Sequence, residues 1–243
     1  MSLNSEPGRW WSRAISLGTY IAVSLIVLAM LGNRLGLWDF GLGFMMLAAG
    51  IILSVIGLVS GIIGTVISFK KPYPAEKTKL LVSTVICLLI SGTMFVQFQV
   101  ATSVPPIHNI STDQNDPPQF NKILALRSGS NPVEYDREVI GEQQSSAYPR
   151  VQTLESALDA QASLLRSIEV LENMGLEIVD TNFDTLQVEA TATSLLFGFK
   201  DDVVVRIRQF GSGSQIDLHS VSRVGQSDLG MNAKRIVTFI DSF

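Results

Sequence analysis

The chain has 243 residues, of which 47% are apolar, and its formal net charge is −4. That length accommodates a membrane region and one domain of ordinary size. Residues 1–102 carry a net charge of +4 and the remainder a net charge of −8, so an ordinary nucleic-acid-binding surface is excluded, because phosphate contacts need clustered cations. With Cys87 as the single cysteine, an internal disulfide framework is excluded too.

Three long apolar stretches occupy the first hundred residues, at about 14–31, 40–69 and 80–100. A bilayer core about 30 Å thick needs roughly 20 apolar helical residues. We therefore predict a membrane domain over residues 1–102 with three transmembrane helices. The first stretch could instead be a cleavable signal peptide, but it lacks a small-x-small cleavage site and two further stretches follow, so we expect it to be retained.

The distribution of Lys and Arg around these stretches predicts their orientation. Arg9 and Arg13 precede the first stretch, whereas the first connection carries only Arg34, offset by Asp39. The second connection carries four lysines: Lys70, Lys71, Lys77 and Lys79. We therefore expect an integral inner (plasma) membrane protein with a cytoplasmic N-terminus and an extracytoplasmic (periplasmic) C-terminal domain.

A stripe of small residues follows one face of the second stretch. Small residues let helix backbones approach closely in lipid, where packing drives association. The stripe predicts helix–helix packing, either with the other two helices of the same chain or with a second copy in a homo-oligomer. Its members are Gly50, Ser54, Gly57, Gly61, Gly64 and Ser68.

Six of the nine prolines fall between residues 103 and 152. Proline removes amide donors and restricts the residue before it, so we predict an extended segment that packs on the following domain. From Thr153 to Gly175 the apolar spacing predicts a helix, with Thr153 as its cap and an apolar face of Leu154, Ala157, Leu158, Leu165, Ile168 and Leu171.

Residues 153–243 are expected to form an α+β core, with an antiparallel sheet of about four strands and two helices on one face. The strands are predicted at 176–180, 185–193, 202–210 and 215–223, and the last helix near Ser227 or Asp228. Strict alternation along 185–193 predicts that one set of side chains faces inward and the other outward. The inward set is Leu186, Val188, Ala190 and Ala192, and the outward set is Gln187, Glu189, Thr191 and Thr193. Across a four-residue loop, Phe210 opposite Gln215 would place Arg208 against Asp217. One face of this hairpin is then apolar and the other charged, either open to solvent or covered by the proline-rich segment.

Polar side chains are dense at 220–236, where a strand, a glycine turn and a helix start follow one another. Arginines there can donate bidentately to a carboxylate or phosphate, although each could also pair with a nearby aspartate. The candidate ligand-binding residues are His108, Asp113, Arg223, Asp228, Asn232 and Arg235.

The junction at 220–236, together with the runs at 107–113 and 115–120, resembles the DUF1499 family, and the resemblance covers about residues 103–243. Members often have Asp where Asn109 stands and Arg where His219 stands. The resemblance implies a shared fold, and it brings no established activity.

No phosphate-cradling loop or nucleophile elbow occurs, and His108 and His219 with carboxylates are too dispersed in sequence to indicate a metal site. We therefore predict no cofactor, no metal and no catalytic residue. The expected function is a non-catalytic binding or envelope-associated module for an anionic small molecule, a lipid headgroup or a partner protein, held in the lipid bilayer. The alternatives are a membrane-surface hydrolase using His108 and Asp113, and a structural oligomeric scaffold.

Overall fold

The computed structural model describes residues 9–70 and 74–243. Lys71 of the lysine-rich connection lies outside these described residues, as do residues 1–8. The chain divides into two compact units, Met1–Gln99 and Val100–Phe243.

Three long apolar helices make up the first part of the chain: α1 (Trp10–Arg34), α2 (Phe40–Lys70) and α3 (Pro74–Ser103). Each is long and apolar enough to cross a membrane, as the sequence predicts. Within the most apolar 18-residue stretch of each helix, at most 22% is buried inside the protein. Most of their apolar side chains therefore face outward, which lipid permits and water does not.

The small-residue stripe of α2 packs against the chain's own helices. All six stripe residues are buried. A Cβ atom on Gly50 would lie 2.7 Å from Ile26 of α1, and one on Gly57 would lie 2.7 Å from the Cys87 sulfur of α3. Ser54 is 3.3 Å from Ser91 of α3, hydroxyl to hydroxyl. The stripe is thus occupied within one copy of the protein.

The second unit contains one sheet, of six antiparallel strands. They are β1 (Asn109–Ser111), β2 (Leu154–Ser156), β3 (Glu177–Asn182), β4 (Gln187–Thr193), β5 (Lys200–Phe210) and β6 (Gly213–Ser222). The order is β1-β6-β5-β4-β3, and β2 also pairs with β6. The prediction of an α+β domain is confirmed, but the sheet is larger than the four strands expected. Because β1 and β2 have only three residues each, they show no usable alternation in the sequence.

The β5–β6 hairpin is tighter than predicted. Its turn contains only Gly211 and Ser212, so Arg206 opposes Asp217 and Arg208 opposes Gln215. The predicted register was wrong by two residues. Since side chains alternate with a period of two, this shift leaves every residue on its predicted face.

Helices α5 (Ala160–Asn173) and α6 (Met231–Ser242) cover one face of the sheet, called here the helix face. α5 starts later than predicted, because the Asp159 carboxylate caps it by accepting from the Ala162 N–H at 2.8 Å. Thr153 lies before β2 and caps no helix. Leu171 and Ile168 pack in the core as predicted, but Leu165 is 58% exposed and Leu158 is 43% exposed, so these two were wrongly assigned to the apolar face. The core on this face contains Leu164, Val188, Val203, Val205, Ile216, Leu218, Ile236 and Phe239.

Part of the segment 103–152 covers the opposite face of the sheet, called here the segment face, and includes a 3-10 helix at Lys122–Leu126. Strand β1 of the same segment joins the sheet, and Ile140 of helix α4 (Arg137–Ala147) packs against the core of the helix face. Phe120 and Ile123 pack on Val204 and Val221. Glu189, predicted to point to solvent, is buried and accepts the backbone N–H groups of residues 121–123.

Candidate functional site

The segment face buries a carboxylate held by two arginines. Asp202 on β5 is fully buried and accepts from Arg127, from Thr191 at 2.7 Å and twice from Arg223, at 2.8 and 2.9 Å. Burial by itself raises the pKa of Asp202, but the hydrogen bonds from Arg223 and Thr191 outweigh it and leave the pKa below its ordinary value. Arg223, a predicted ligand-binding residue, is therefore committed to Asp202.

A second cluster of charged side chains, called here the Asp217 group, lies further along the segment face and contains Asp113, Arg206, Arg208 and Asp217. Asp217 is fully buried and accepts from Arg208 at 2.6 Å, Thr153 at 2.6 Å and Thr112 at 3.0 Å. Asp113 lies 3.3 Å from both Arg206 and Arg208. Partial burial opposes ionisation of Asp113, but backbone N–H groups and the two arginines outweigh it and lower its pKa.

His219 lies between two acceptor oxygens in the same layer. Its Nδ1 is 2.8 Å from the Pro118 carbonyl oxygen and its Nε2 is 2.6 Å from Asn109 Oδ1. Only the protonated ring can donate to both, whereas burial disfavours that charge and lowers the pKa of His219 to about 4. Asn109 and His219 are thus in direct contact.

The junction residues lie mainly on the helix face. Asn232 is fully buried, and its side-chain amide donates to the His108 carbonyl oxygen and to Ser222, both at 2.9 Å. Arg235 donates to Asp201 at 2.7 Å. Asp228 accepts from the N–H groups of Gly230 and Asn232, and burial raises its pKa.

The six predicted ligand-binding residues do not form one site. Asp201 and Asp202 are consecutive on β5, so their partners Arg235 and Arg223 lie on opposite faces of the sheet. The His108 ring contacts the Gln226 carbonyl oxygen at 3.3 Å. Five residue steps separate His108 from Asp113, and strand β1 between them alone spans about 10 Å, which exceeds the hydrogen-bond reach that a base and its orienting group need.

A cavity of about 570 Å³ lies beside the Asp217 group. Arg137, at the start of α4, is exposed and forms no ion pair with any residue in 9–70 or 74–243. The buried Nε–H of Arg208 has no hydrogen-bond acceptor within the same part of the chain. The lining is mostly polar and includes Asp113, Arg137, Tyr148, Glu155, Arg208 and Gln215.

Of the predicted residues, only Asp113 lines this cavity. The sequence did not indicate Arg137 as a site residue, because it lies in the proline-rich segment, where apolar residues have no regular spacing. The available signal was Asp136-Arg137-Glu138, an aspartate cap followed by a charged first turn: the Asp136 carboxylate accepts from the N–H groups of residues 138 and 139.

Among the described residues, no group of three His, Cys, Asp or Glu side chains is placed to hold a metal ion. Three helices that are long and apolar enough to cross a membrane precede the α+β domain, so the class of protein is a membrane-associated protein. Residues 109–243 match the family described as Protein of unknown function (DUF1499), and the chain belongs to that family. No curated protein matches the chain.

Proposed function

We propose that this protein is a membrane-anchored, non-catalytic binding module whose domain holds a small anionic ligand in the cavity between Arg137 and Arg208. The observation that carries the proposal is the pair of accessible guanidinium groups at one cavity. Arg137 has no carboxylate partner among the described residues, and the Arg208 side chain is 41% exposed. A phosphate or carboxylate would supply acceptor oxygens to both.

The ion pairs of the 220–236 junction argue against a ligand site there. Arg223 and Arg235 each bind an aspartate, and their side chains are only 14% and 11% exposed. A ligand there would have to displace an ion pair in a poorly hydrated environment, which is costly. Arg208 is 41% exposed and lines open space, so a ligand can reach it without breaking the Asp217 contact.

We further propose that the domain is extracytoplasmic and that the three helices anchor it in the inner membrane. The excess of Lys and Arg before the first helix and in the second connection supports this orientation. In that position the cavity would meet anionic solutes or anionic lipid headgroups. Because α2 uses its small-residue stripe inside one copy, a homo-oligomer would need another surface.

The test uses full-length protein in nanodiscs, analysed by native mass spectrometry for a co-purifying mass and titrated with inorganic phosphate, citrate and glycerol 3-phosphate. Replacing Arg137 by Gln should weaken binding of the preferred probe about 10- to 100-fold, since a hydrogen bond to a charged group contributes about 1.5–3 kcal/mol.

The matched control is Lys122→Gln, because Lys122 is also an exposed cation but does not line the cavity. It should leave binding unchanged. If no probe binds and no mass co-purifies, the cavity is not an anion site and the charged layers serve folding alone. Equal loss in both variants would indicate nonspecific attraction to positive charge.

A further inference from the structure

The connection between β4 and β5 is unusually apolar for an exposed loop. It reads Ser194-Leu195-Leu196-Phe197-Gly198-Phe199. Leu195 is 80% exposed and Leu196 is 56% exposed. The rings of Phe197 and Phe199 stack with their centroids 5.0 Å apart. Contiguous exposed apolar residues at a loop tip are characteristic of an interaction surface.

The strand register fixes the end of the sheet at which this tip lies. β5 begins at Lys200, and its next residue, Asp201, opposes Ser222 at the end of β6. Asn109, the first residue of β1, opposes Val221. The β4–β5 tip and the start of β1 therefore share one end of the sheet. Two to three strand spacings separate them, or about 10–14 Å.

That end of the sheet is also where the chain arrives from the third apolar helix. α3 ends at Ser103 and β1 starts at Asn109, so six residue steps, at most about 20 Å of extended chain, separate the two. The apolar stretch of α3 ends near Val100, which places the bilayer boundary close to this connection. Chain connectivity therefore keeps the tip within about 35 Å of the end of α3.

The surroundings of the tip suit a lipid surface. Met231 is 50% exposed and Leu229 is 39% exposed, and both lie in the connection and first turn that follow β6. Lys200 directly follows the tip in the sequence, and Lys234 lines a cavity together with Met231 and Thr193; both lysines are exposed. Apolar side chains flanked by lysines are the composition that binds the interface of an anionic bilayer.

We propose that the β4–β5 tip, residues 194–200, is a second membrane anchor: Leu195 and Leu196 insert into the lipid interface and hold this end of the domain against the bilayer. This inference concerns a different surface from the cavity of Arg137 and Arg208 and does not depend on it. Its consequence is that the domain has a fixed orientation on the membrane and does not swing freely from α3.

The test places an environment-sensitive fluorophore on the tip of the full-length protein. In a Cys87→Ser background, Leu196→Cys is labelled with a nitrobenzoxadiazole dye, and the protein is reconstituted into nanodiscs containing phosphatidylglycerol. The matched control is Phe210→Cys, because Phe210 is equally exposed, at 56%, but lies at the opposite end of the sheet beside the β5–β6 turn.

Brominated lipids should quench the Leu196→Cys probe several-fold more than the Phe210→Cys probe, with a blue-shifted emission only at the tip. Equal quenching at the two positions would overturn the proposal. A blue shift at the tip without quenching by brominated lipid would also overturn it, because it would place the tip against protein. Both substitutions are at exposed positions, and unchanged hydrogen exchange of β5 and β6 would verify that both variants are folded.

Discussion

Replacing Asp202 by Asn tests whether the buried charges of the segment face hold the domain together. The substitution keeps the shape of the side chain but removes the anion that Arg127 and Arg223 share. Arg127 is only 4% exposed and Asp202 is 0% exposed, so the unpaired guanidinium would stay in a poorly hydrated environment. Breaking a buried ion pair at one partner costs about 3–5 kcal/mol.

Hydrogen exchange of β5 and β6 in the full-length protein measures this cost locally. A local measurement is needed because all three tryptophans lie in the apolar helices or their connections, so tryptophan fluorescence would not report unfolding of the domain. A loss of about 3–5 kcal/mol should speed exchange roughly 10²- to 10³·⁵-fold when exchange follows the opening equilibrium.

The control is Asp241→Asn, the same change in the exposed Arg150–Asp241 pair. Exposed pairs contribute about 0–1 kcal/mol, so exchange should change less than about fivefold. If Asp202→Asn exchanged no faster than this control, the group of Asp202, Arg127 and Arg223 would be well hydrated, and its burial would contribute little to the stability of the domain.

The pH dependence follows from the folded-state pKa of Asp202. That pKa is lowered, so the native state favours the ionised form. The stabilisation is present above the unfolded-state pKa, about 3.9, and is lost as the pH falls through the folded-state value. Protection of β5 should therefore decline under acid conditions in the parent protein, and this contribution should be absent from Asp202→Asn.

Three further predictions concern other parts of the chain. The pKa of His219 is lowered from 6.5 to about 4, so the stability of the domain should fall as the pH drops from 6.5 towards 4. Asn109→Asp should raise that pKa and make the decline shallower. Parallel pH profiles of hydrogen exchange in the parent and the variant would contradict this. Gly213→Ala should cost about 1–3 kcal/mol, because a Cβ there would lie 2.2 Å from the Ser156 carbonyl oxygen; unaltered exchange in β2 would be the contrary result. Lys122→Cys, in a Cys87→Ser background, should react with a membrane-impermeant maleimide before the inner membrane is lysed, and labelling only after lysis would place the domain in the cytoplasm.

The contact between Asn109 and His219 gives a physical meaning to two departures from the family resemblance. Asp and Arg at these positions would form a buried ion pair, and Asn and His can form a neutral contact in the same place. Combining Asn109→Asp with His219→Arg should therefore be less damaging than His219→Arg alone, because the single variant would leave a guanidinium without a carboxylate.

Several features of the domain followed from local patterns. The alternation of β4 and β5 predicted which residues face the helices, because side-chain direction in a strand has a period of two. The positions of Val188, Val203 and Val205 in the core agree with that pattern. The same pattern could not reveal that Glu189 is buried, since polar residues opposite an apolar face look solvent-exposed until a covering segment is placed over them.

The candidate site was much less accessible to sequence reasoning. Arg223 and Arg235 lie close together in the sequence and looked like one constellation, but their aspartate partners are consecutive residues on β5 and point to opposite faces. The cavity joins Asp113, Arg137 and Arg208, which come from three separate parts of the chain. Neither arrangement has a short-range signature.

The sequence by itself determined the three apolar helices and the alternating faces of the central strands, because hydrophobic length and period are local properties. It also determined the membership of the family, through motifs at both ends of the domain. Only the tertiary structure decided the six-stranded sheet, the burial of the charged face and the position of the cavity. These features depend on where residues 103–152 pack, since β1 joins the sheet and Phe120 and Ile123 cover its other face. A segment without a regular apolar spacing of its own acquires its structure from the surface it contacts.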